Sequence, residues 1–246
     1  MNWPLELADN PNTYVPLRPG DERIVTDRYV LFLSAGAGGS VAQRFRFEAG
    51  ELDEVRAELH ALIRERGRTS LAWEVGTYAR PSGLVERLLE IGLEDDGLQV
   101  GMVLTEPPAG PGPEGVEVRR VTSAEEDFAA ERIAAIAFGG RVPTEPRPFE
   151  PGPDNATYLA YVDGDPVARA SAAFGEHGVT LFGGATLPGA RGHGAYRALV
   201  AARWDDAVER GTPVLVTQAS PMSRPILGRL GFREVCEIRA LNDRVG

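Results

Sequence analysis

The segment Glu106-Pro-Pro-Ala-Gly-Pro-Gly-Pro-Glu-Gly115 sets the strongest limit on what this chain can fold into. Proline cannot donate to a helix or sheet ladder, and glycine loses the most entropy on ordering. A stretch this rich in both joins elements rather than forming one. Its composition is that of a linker between domains. Residues 1–105 and 116–246 are then two segments of domain size, since domains of roughly 100–150 residues are common. A second such stretch, Arg141–Asn155, carries five prolines but lies inside the later segment. It reads as a long surface loop, and loops of that length are often functional.

Periodicity within each segment alternates between strand and helix. Before the linker, strands are predicted at Arg28–Leu33, Val41–Phe47, Ser70–Val75 and Leu98–Leu104. A helix over Leu52–Arg66 follows from Leu52, Val55, Leu59, Leu62 and Ile63 at helical spacing. A second helix spans Ser82–Ile91, with Ser82 as its cap and Gly92 as its stop. Gly36-Ala-Gly-Gly39 reads as the hairpin turn between the first two strands. After the linker come a strand Val116–Val121, a helix capped by Thr122 or Ser123, and the strands Thr157–Val162 and Val167–Phe174. The last two flank Asp163-Gly164-Asp165, a hairpin signature. Strand Val179–Leu187, helix Ala195–Arg210, strand Val214–Gln218, a short helix Ser223–Leu230 and strand Arg233–Leu241 complete the chain. Both halves therefore have mixed α/β (α+β) character. Leu84–Leu93 echoes Ile226–Phe232, each a short amphipathic helix with a glycine stop between two strands, which hints at duplication.

Composition removes several classes of chemistry. All 26 basic residues are arginine, so Schiff-base chemistry and a Walker-type phosphate lysine are excluded. A formal charge of −10 argues against nucleic acid and mildly favours a cationic or amine-bearing partner. One cysteine, Cys236, leaves no intrachain disulfide, and three scattered histidines make no zinc set, so no metal is expected. No apolar run approaches the ~20 residues of a membrane span. Met1-Asn2-Trp3-Pro4 lacks the character of a signal peptide, and a cytoplasmic location is expected.

Arg191-Gly192-His193-Gly194-Ala195-Tyr196, between a strand and a helix, is an anion-binding arrangement on physical grounds. Backbone N–H groups at a helix start lack intrahelical acceptors, and the macrodipole adds positive potential there. Gly192 and Gly194 remove side chains that would hold a phosphate away, and Arg191 can add a charged donor. Behind the turn, Ala195, Leu199 and Ala202 share one face of the helix, with Arg203, Asp206, Glu209 and Arg210 largely on others.

Thr186 through Leu199 resembles the GNAT superfamily of acyl-CoA-dependent N-acetyltransferases, whose signature is Gln/Arg-x-x-Gly-x-Gly/Ala. Arg191 and Gly194 match, while Tyr196 stands where Gly or Ala is usual. Gln218-Ala-Ser-Pro-Met-Ser-Arg-Pro-Ile-Leu-Gly-Arg-Leu-Gly-Phe232 is similar to the second signature of the same family, about 30 residues downstream. The resemblance covers roughly Val116–Asn242. It implies a GNAT fold, a central mixed sheet with splayed parallel strands flanked by helices. Trp73-Glu-Val-Gly76, the Leu84–Leu93 helix and Gly101-Met-Val-Leu104 resemble the diverged N-terminal halves of tandem GNAT proteins. That half lacks the cofactor turn and would support the other or form one wall of the acceptor cleft.

The resemblance further implies acetyl-CoA as cosubstrate and direct transfer of its acetyl group to a primary amine. Backbone groups of Gly184, Ala185 and Thr186 would hold pantetheine and polarise the thioester. Arg191, Gly192, His193, Gly194, Ala195 and Tyr196 would hold the pyrophosphate. The family's usual acid, a tyrosine five residues before the final Phe, is Leu227 here. Its role is open to Ser220, Ser223, Tyr196 or water, and Glu145 or Glu150 of the Pro-rich loop are candidates for a base. His177 reads as a turn residue, His193 as cofactor-proximal or exposed, and Cys236 as buried and inert. Asp205, Asp206 and Glu209 read as a solvated helix face. The acceptor class is an amine-bearing small molecule or peptide, and a homodimer is one open arrangement. Two alternatives stand beside the enzyme: a catalytically silent CoA-binding regulator or scaffold, and a nucleotide-binding protein using the same glycine turn. The missing lysine and the lack of an acidic residue closing a second strand weigh against the last.

Overall fold

The computed structural model describes residues 2–35, 39–110 and 112–246. Elements are numbered in chain order. The chain forms two compact units that interleave along the sequence. The first comprises residues up to Met102 together with Gln218–Pro225 and Glu234–Gly246; the second comprises Val103–Thr217 and Ile226–Arg233. The Pro/Gly segment thus lies close to where the chain passes between units, and the C-terminal strand folds with the N-terminal residues.

The first unit contains α1 (Trp3–Asp9), β1 (Glu22–Val25), β2 (Val30–Leu33), β3 (Ser40–Gln43), α2 (Leu52–Glu65), β4 (Ser70–Gly76), α3 (Leu84–Glu90), most of β5 (Glu94–Leu104) and most of β11 (Arg233–Arg244). Its strand order is β1-β2-β3-β4-β11-β5, with β1, β2 and β3 antiparallel and β3 parallel to β4. The apolar stripe of α2 predicted from spacing is the one that is buried, at Leu52, Val55, Leu59 and Ile63. It packs on Tyr29, Leu31, Leu71, Trp73 and Leu241, and each buried aliphatic side chain contributes roughly 2 kcal/mol. Of the predicted turn between β2 and β3, residues 36–38 lie outside the described residues.

Several local expectations change. The alternation Val41–Phe47 predicts a strand, yet β3 ends at Gln43 because Arg44 takes a positive φ of 56°. Phe45 then stacks on Trp73 with ring centroids 4.9 Å apart instead of continuing the ladder. The cap of α3 is Gly83 in the left-handed region, not Ser82. The short elements α1 and β1 carry too few residues to show a period. α1 is nevertheless defined by its ends, with the Asn2 side chain accepting from the Leu5 amide at 3.5 Å and Pro4 in the first turn.

The second unit contains β6 (Val116–Arg120), α4 (Ala124–Phe138), β7 (Asn155–Val162), β8 (Asp165–Gly175), β9 (Gly178–Thr186) and α5 (Ala195–Glu209), with parts of β10 (Leu215–Ala219) and α6 (Arg224–Arg229). The order is β10-β9-β8-β7-β6. β6 through β9 are antiparallel, and β9 runs parallel to β10. Ser123 caps α4 by accepting from the Glu126 amide at 3.2 Å, and the Glu126 carboxylate accepts from the Thr122 amide at 2.7 Å. Asp163 and Gly164 both take positive φ in the tight β7–β8 turn. Each unit therefore repeats one plan: antiparallel strands, a parallel pair, and a helix between its members. The echoed helices α3 and α6 occupy equivalent places, each followed by a glycine at positive φ, Gly92 and Gly231, and then a strand.

Candidate functional site

In the second unit, β9 and β10 pair only at Leu215↔Val179 and Val216↔Thr180 among the described residues. One residue further, the Thr217 hydroxyl donates to the Leu181 carbonyl at 3.1 Å. From Leu181 to Thr186 the β10-facing edge of β9 has no registered strand partner among the described residues. Two parallel strands that part in this way leave a slot bordered by unpaired backbone groups.

A bulge in the ladder between β8 and β9 falls within the same stretch of β9. Arg169 pairs with Ala185 and Ser171 with Phe182, so Gly183 and Gly184 together oppose the single residue Ala170. Gly183 has φ +60°, and a Cβ there would sit 2.2 Å from Arg169 Nη1. A Cβ on Gly184 would sit 2.7 Å from the Tyr196 ring. A side chain at either position would displace Arg169 or Tyr196, and at Gly183 it would also strain the backbone; with glycine at both, the backbone is bare where the strands part.

The chain then passes through a 3-10 turn at Pro188–Ala190 into the glycine turn. Gly194 is the N-cap of α5 in the left-handed region, with no side-chain capping hydrogen bond. Gly192 also has a positive φ of 87° and nothing within 4 Å of an added Cβ. Arg191, Gly192 and His193 are exposed, and Arg191 Nε reaches the Thr186 carbonyl at 3.4 Å. A fifteen-residue helix thus begins at an uncapped, glycine-flanked turn, the geometry that accepts a phosphate. The linker borders this turn: Pro113 Cβ lies 2.5 Å from where a Gly194 Cβ would be.

Tyr196 does not crowd the turn; its ring turns inward onto Gly184. Beneath it lies Arg203, which belongs to the buried face of α5 and not to its solvated side, at 1% exposure. Its Nε donates to the Leu199 carbonyl at 2.8 Å and its Nη1 to the Ser171 carbonyl at 3.2 Å. Nη2 has no acceptor in hydrogen-bonding geometry, although the Tyr196 and Tyr158 hydroxyls interact with the guanidinium. Asp206 is likewise not simply solvated, because it accepts from the Tyr158 hydroxyl. Burial and that carboxylate push the Tyr158 phenol well above its ordinary range.

On the opposite face of the sheet, α4 brings carboxylates toward the bulge. Arg169 Nη1 donates to the Gly183 carbonyl at 2.9 Å, and Arg169 interacts electrostatically with Asp127 and Glu131, one helical turn apart on α4. Burial first, then Glu131, raises the Asp127 pKa above the usual carboxylate range, while Arg169 and Arg147 act in the other direction. Arg147 comes from the Pro-rich loop, whose Phe149 packs against the cluster of Ala130, Ile133 and Ala185. The loop's glutamates, Glu145 and Glu150, are exposed. Sequence reasoning missed Asp127 and Glu131 because their (i, i+4) spacing among further acidic residues looks like any solvated helix face.

The other sequence candidates are placed as follows. Ser220 and Ser223 fall in the first unit and hold each other, Oγ to Oγ at 3.3 Å, at the start of α6. Leu227 is buried at 1% exposure, so that position offers no hydroxyl. His177 sits in the β8–β9 turn, at the far end of β9 from the bulge. Cys236 is buried, and burial together with Asp9 pushes its thiol up to about 12.

The first unit repeats the parting of parallel strands, at Val41↔Ala72 and Ala42↔Trp73 of β3 and β4, but fills it. Just beyond, Gln43 is held by Asn12 at 3.3 Å and Thr13 at 3.0 Å, and Asp9 lies 2.2 Å from where a Gly76 Cβ would be. The N-terminal segment thus occupies the place where β3 and β4 separate. This unit also contains a perturbed carboxylate, Glu74 on β4, which burial raises to about 7 despite a 3.4 Å hydrogen bond from Gln218.

No family model matches the sequence, and no curated protein matches it. Solved structures do. A GCN5-related N-acetyltransferase from Kribbella flavida superposes with a TM-score of 0.73 at 24% identity, covering 97% of this chain and 95% of its own. A tandem GNAT protein from the clavulanic acid biosynthesis pathway gives a TM-score of 0.58 at 16% identity, over 97% and 88% of the two chains. A GCN5-related N-acetyltransferase from Sphaerobacter thermophilus gives 0.61 at 14% identity, over 90% and 82%. The fold is that of the GCN5-related N-acetyltransferases, and the likeness extends over nearly the whole chain.

Proposed function

We propose that this protein is an acetyl-CoA-dependent N-acetyltransferase whose second unit carries the reaction and whose first unit does not bind the cosubstrate. One observation carries the reading. In the second unit the strands part beside an open bulge, and β9 leads directly to an uncapped, glycine-lined helix start. The residues fit the cosubstrate: the amides of Gly192, His193, Gly194, Ala195 and Tyr196 with Arg191 would hold the pyrophosphate, and Gly184, Ala185 and Thr186 would border the pantetheine. Acetyl-CoA supplies the activated acyl group.

The residues of the chain then have three tasks. Bare backbone at the bulge leaves the acyl oxygen facing an amide donor. Asp127, raised by burial and near the bulge through Arg169, is suited to hold an ammonium and to accept its proton as the amine becomes a nucleophile. Tyr196, whose ring lies on Gly184 and whose hydroxyl interacts with Arg203, is the hydroxyl we assign to meet the departing sulfur. In the balance, a C–N bond forms, the C–S bond breaks, the thiolate leaves, and the amine proton passes to the carboxylate or to water. Ser220, Ser223 and Glu145 are weaker assignments, the serines being engaged with each other and Glu145 exposed. The acceptor we favour is a small amine-bearing molecule or peptide.

A second reading, a CoA-binding regulator without turnover, rests on the buried Leu227 in place of the usual tyrosine. Mass-spectrometric detection of acetyl transfer across a panel of amines separates the two. Acetylated product with at least one amine, dependent on Asp127, is expected. Firm acetyl-CoA binding with no product from any amine would sink the enzyme reading.

A further inference from the structure

Arg169 is an expensive residue to keep where it is. It is largely buried on β8, and no carboxylate lies within ion-pair distance of it among the described residues. Its Nε is buried without a hydrogen-bond partner. Burying a cation with one donor unsatisfied costs stability unless something else is gained. Its one hydrogen bond among the described residues goes to a backbone carbonyl at the bulge, Nη1 to Gly183 O at 2.9 Å. A neutral donor or a water would satisfy that oxygen at lower cost.

The carbonyl of Gly183 and the amide N–H of Gly184 belong to the same planar peptide. In a trans peptide the C=O and N–H point in opposite directions, so the Gly184 N–H points away from Arg169. A cationic donor on the oxygen draws electron density through the amide and makes the N–H at its other end a stronger donor, an effect magnified in a low-dielectric interior. Both glycines are closely approached: Arg169 Nη1 and the Tyr196 ring lie 2.2 Å and 2.7 Å from where the Cβ atoms of Gly183 and Gly184 would be.

We propose that Arg169 is a positioning residue that locks the β9 bulge through Gly183 O and polarises the Gly183–Gly184 peptide, so that the Gly184 N–H binds the acyl oxygen of the thioester. This rests on the acetyltransferase reading above and adds a residue to it. Asp127 and Glu131 then have a second effect: their field balances the buried guanidinium and allows it to remain charged.

The test is isotope-edited infrared spectroscopy of acetyl-CoA labelled with 13C at the acyl carbonyl, bound to the intact protein without acceptor. In the wild type the thioester carbonyl stretch moves to lower frequency than in free acetyl-CoA. Arg169→Met loses most of that displacement and roughly tenfold or more in kcat, with KM for acetyl-CoA within about twofold. Arg169→Gln, which retains a neutral donor, falls between them. An unshifted carbonyl in the bound wild type, or a wild-type frequency in Arg169→Met, overturns the proposal while leaving acetyl-CoA binding intact. No binding by the wild type sinks the functional reading itself. Should the variants not fold, the wild type still decides. Its Gly184 amide proton resonance moves on adding acetyl-CoA and not on adding CoA, whose thiol has no acyl oxygen; equal movement with both refutes the assignment.

Discussion

Replacing Glu74 with Gln makes the stability of the protein less sensitive to pH, and the size of the effect follows from its surroundings. Glu74 lies within the first unit's sheet, and its carboxyl titrates near 7 in the fold against an ordinary value of 4.5, chiefly because burial penalises the charge. The sign runs in one direction. Between pH 4.5 and 7 the unfolded chain has given up the proton while the folded one retains it, so stability falls as pH rises through that window. At about 1.4 kcal/mol per pH unit, the whole span is worth about 3.5 kcal/mol, of which about 2.5 falls between pH 5 and 8.5. Glu74→Gln keeps the shape and can still bond Gln218, 3.4 Å away, but has no proton to lose. Melting temperatures at pH 5 and pH 8.5 read the difference. For a chain of this size the variant should gain roughly 5–10 °C relative to wild type on going from the lower to the higher pH. Parallel pH profiles for the two proteins would show that Glu74 is not held neutral by the fold.

Three further outcomes are expected. His193→Glu places a carboxylate at the exposed rim of the helix start without touching a positive-φ residue, and should weaken acetyl-CoA binding at least tenfold by calorimetry with little change in melting temperature; unchanged affinity would move the phosphate site elsewhere. Tyr196→Phe should lower kcat by roughly tenfold or more while leaving acetyl-CoA affinity nearly intact, and an unaltered kcat would reduce Tyr196 to packing. Asp243 receives Arg56 at 2.7 and 2.9 Å and His60 at 2.8 Å, and these partners hold its pKa below 3.8 despite burial. Asp243→Asn should cost about 2–3 kcal/mol at neutral pH. The wild type loses this contribution only as pH falls through the lowered folded pKa, so the two denaturation curves converge in acid; a constant gap would contradict the linkage.

Much of the fold was legible because local signals agreed with tertiary needs. The spacing Leu52, Val55, Leu59, Ile63 marks the face of α2 that is buried, and Asp163-Gly164 marks a turn needing two positive φ values. The glycine turn was legible for the same reason, since Gly192 and Gly194 adopt backbone angles that other residues resist. Illegible features depend on long-range placement. Arg203 has the local character of a surface helix residue, yet the sheet covers it; Val41–Phe47 alternates like a strand, yet Gln43 is pinned by residues some thirty positions earlier. The proposed site shows the same division: the glycine turn is encoded in contiguous residues, whereas Asp127, Arg169 and Gly183 are assembled from three elements. Neither did any local pattern announce that the C-terminal strand would fold with the N-terminal unit, because β11 meets β4 through pairs such as Ala240↔Glu74, far apart in sequence.

Calorimetric titration of the intact protein with acetyl-CoA tests the central assignment most directly. The open slot of the second unit and the filled one of the first predict one equivalent bound per chain, displaced competitively by CoA and weakened by His193→Glu. Two equivalents per chain would contradict the blocked first unit, and no binding would contradict the site itself.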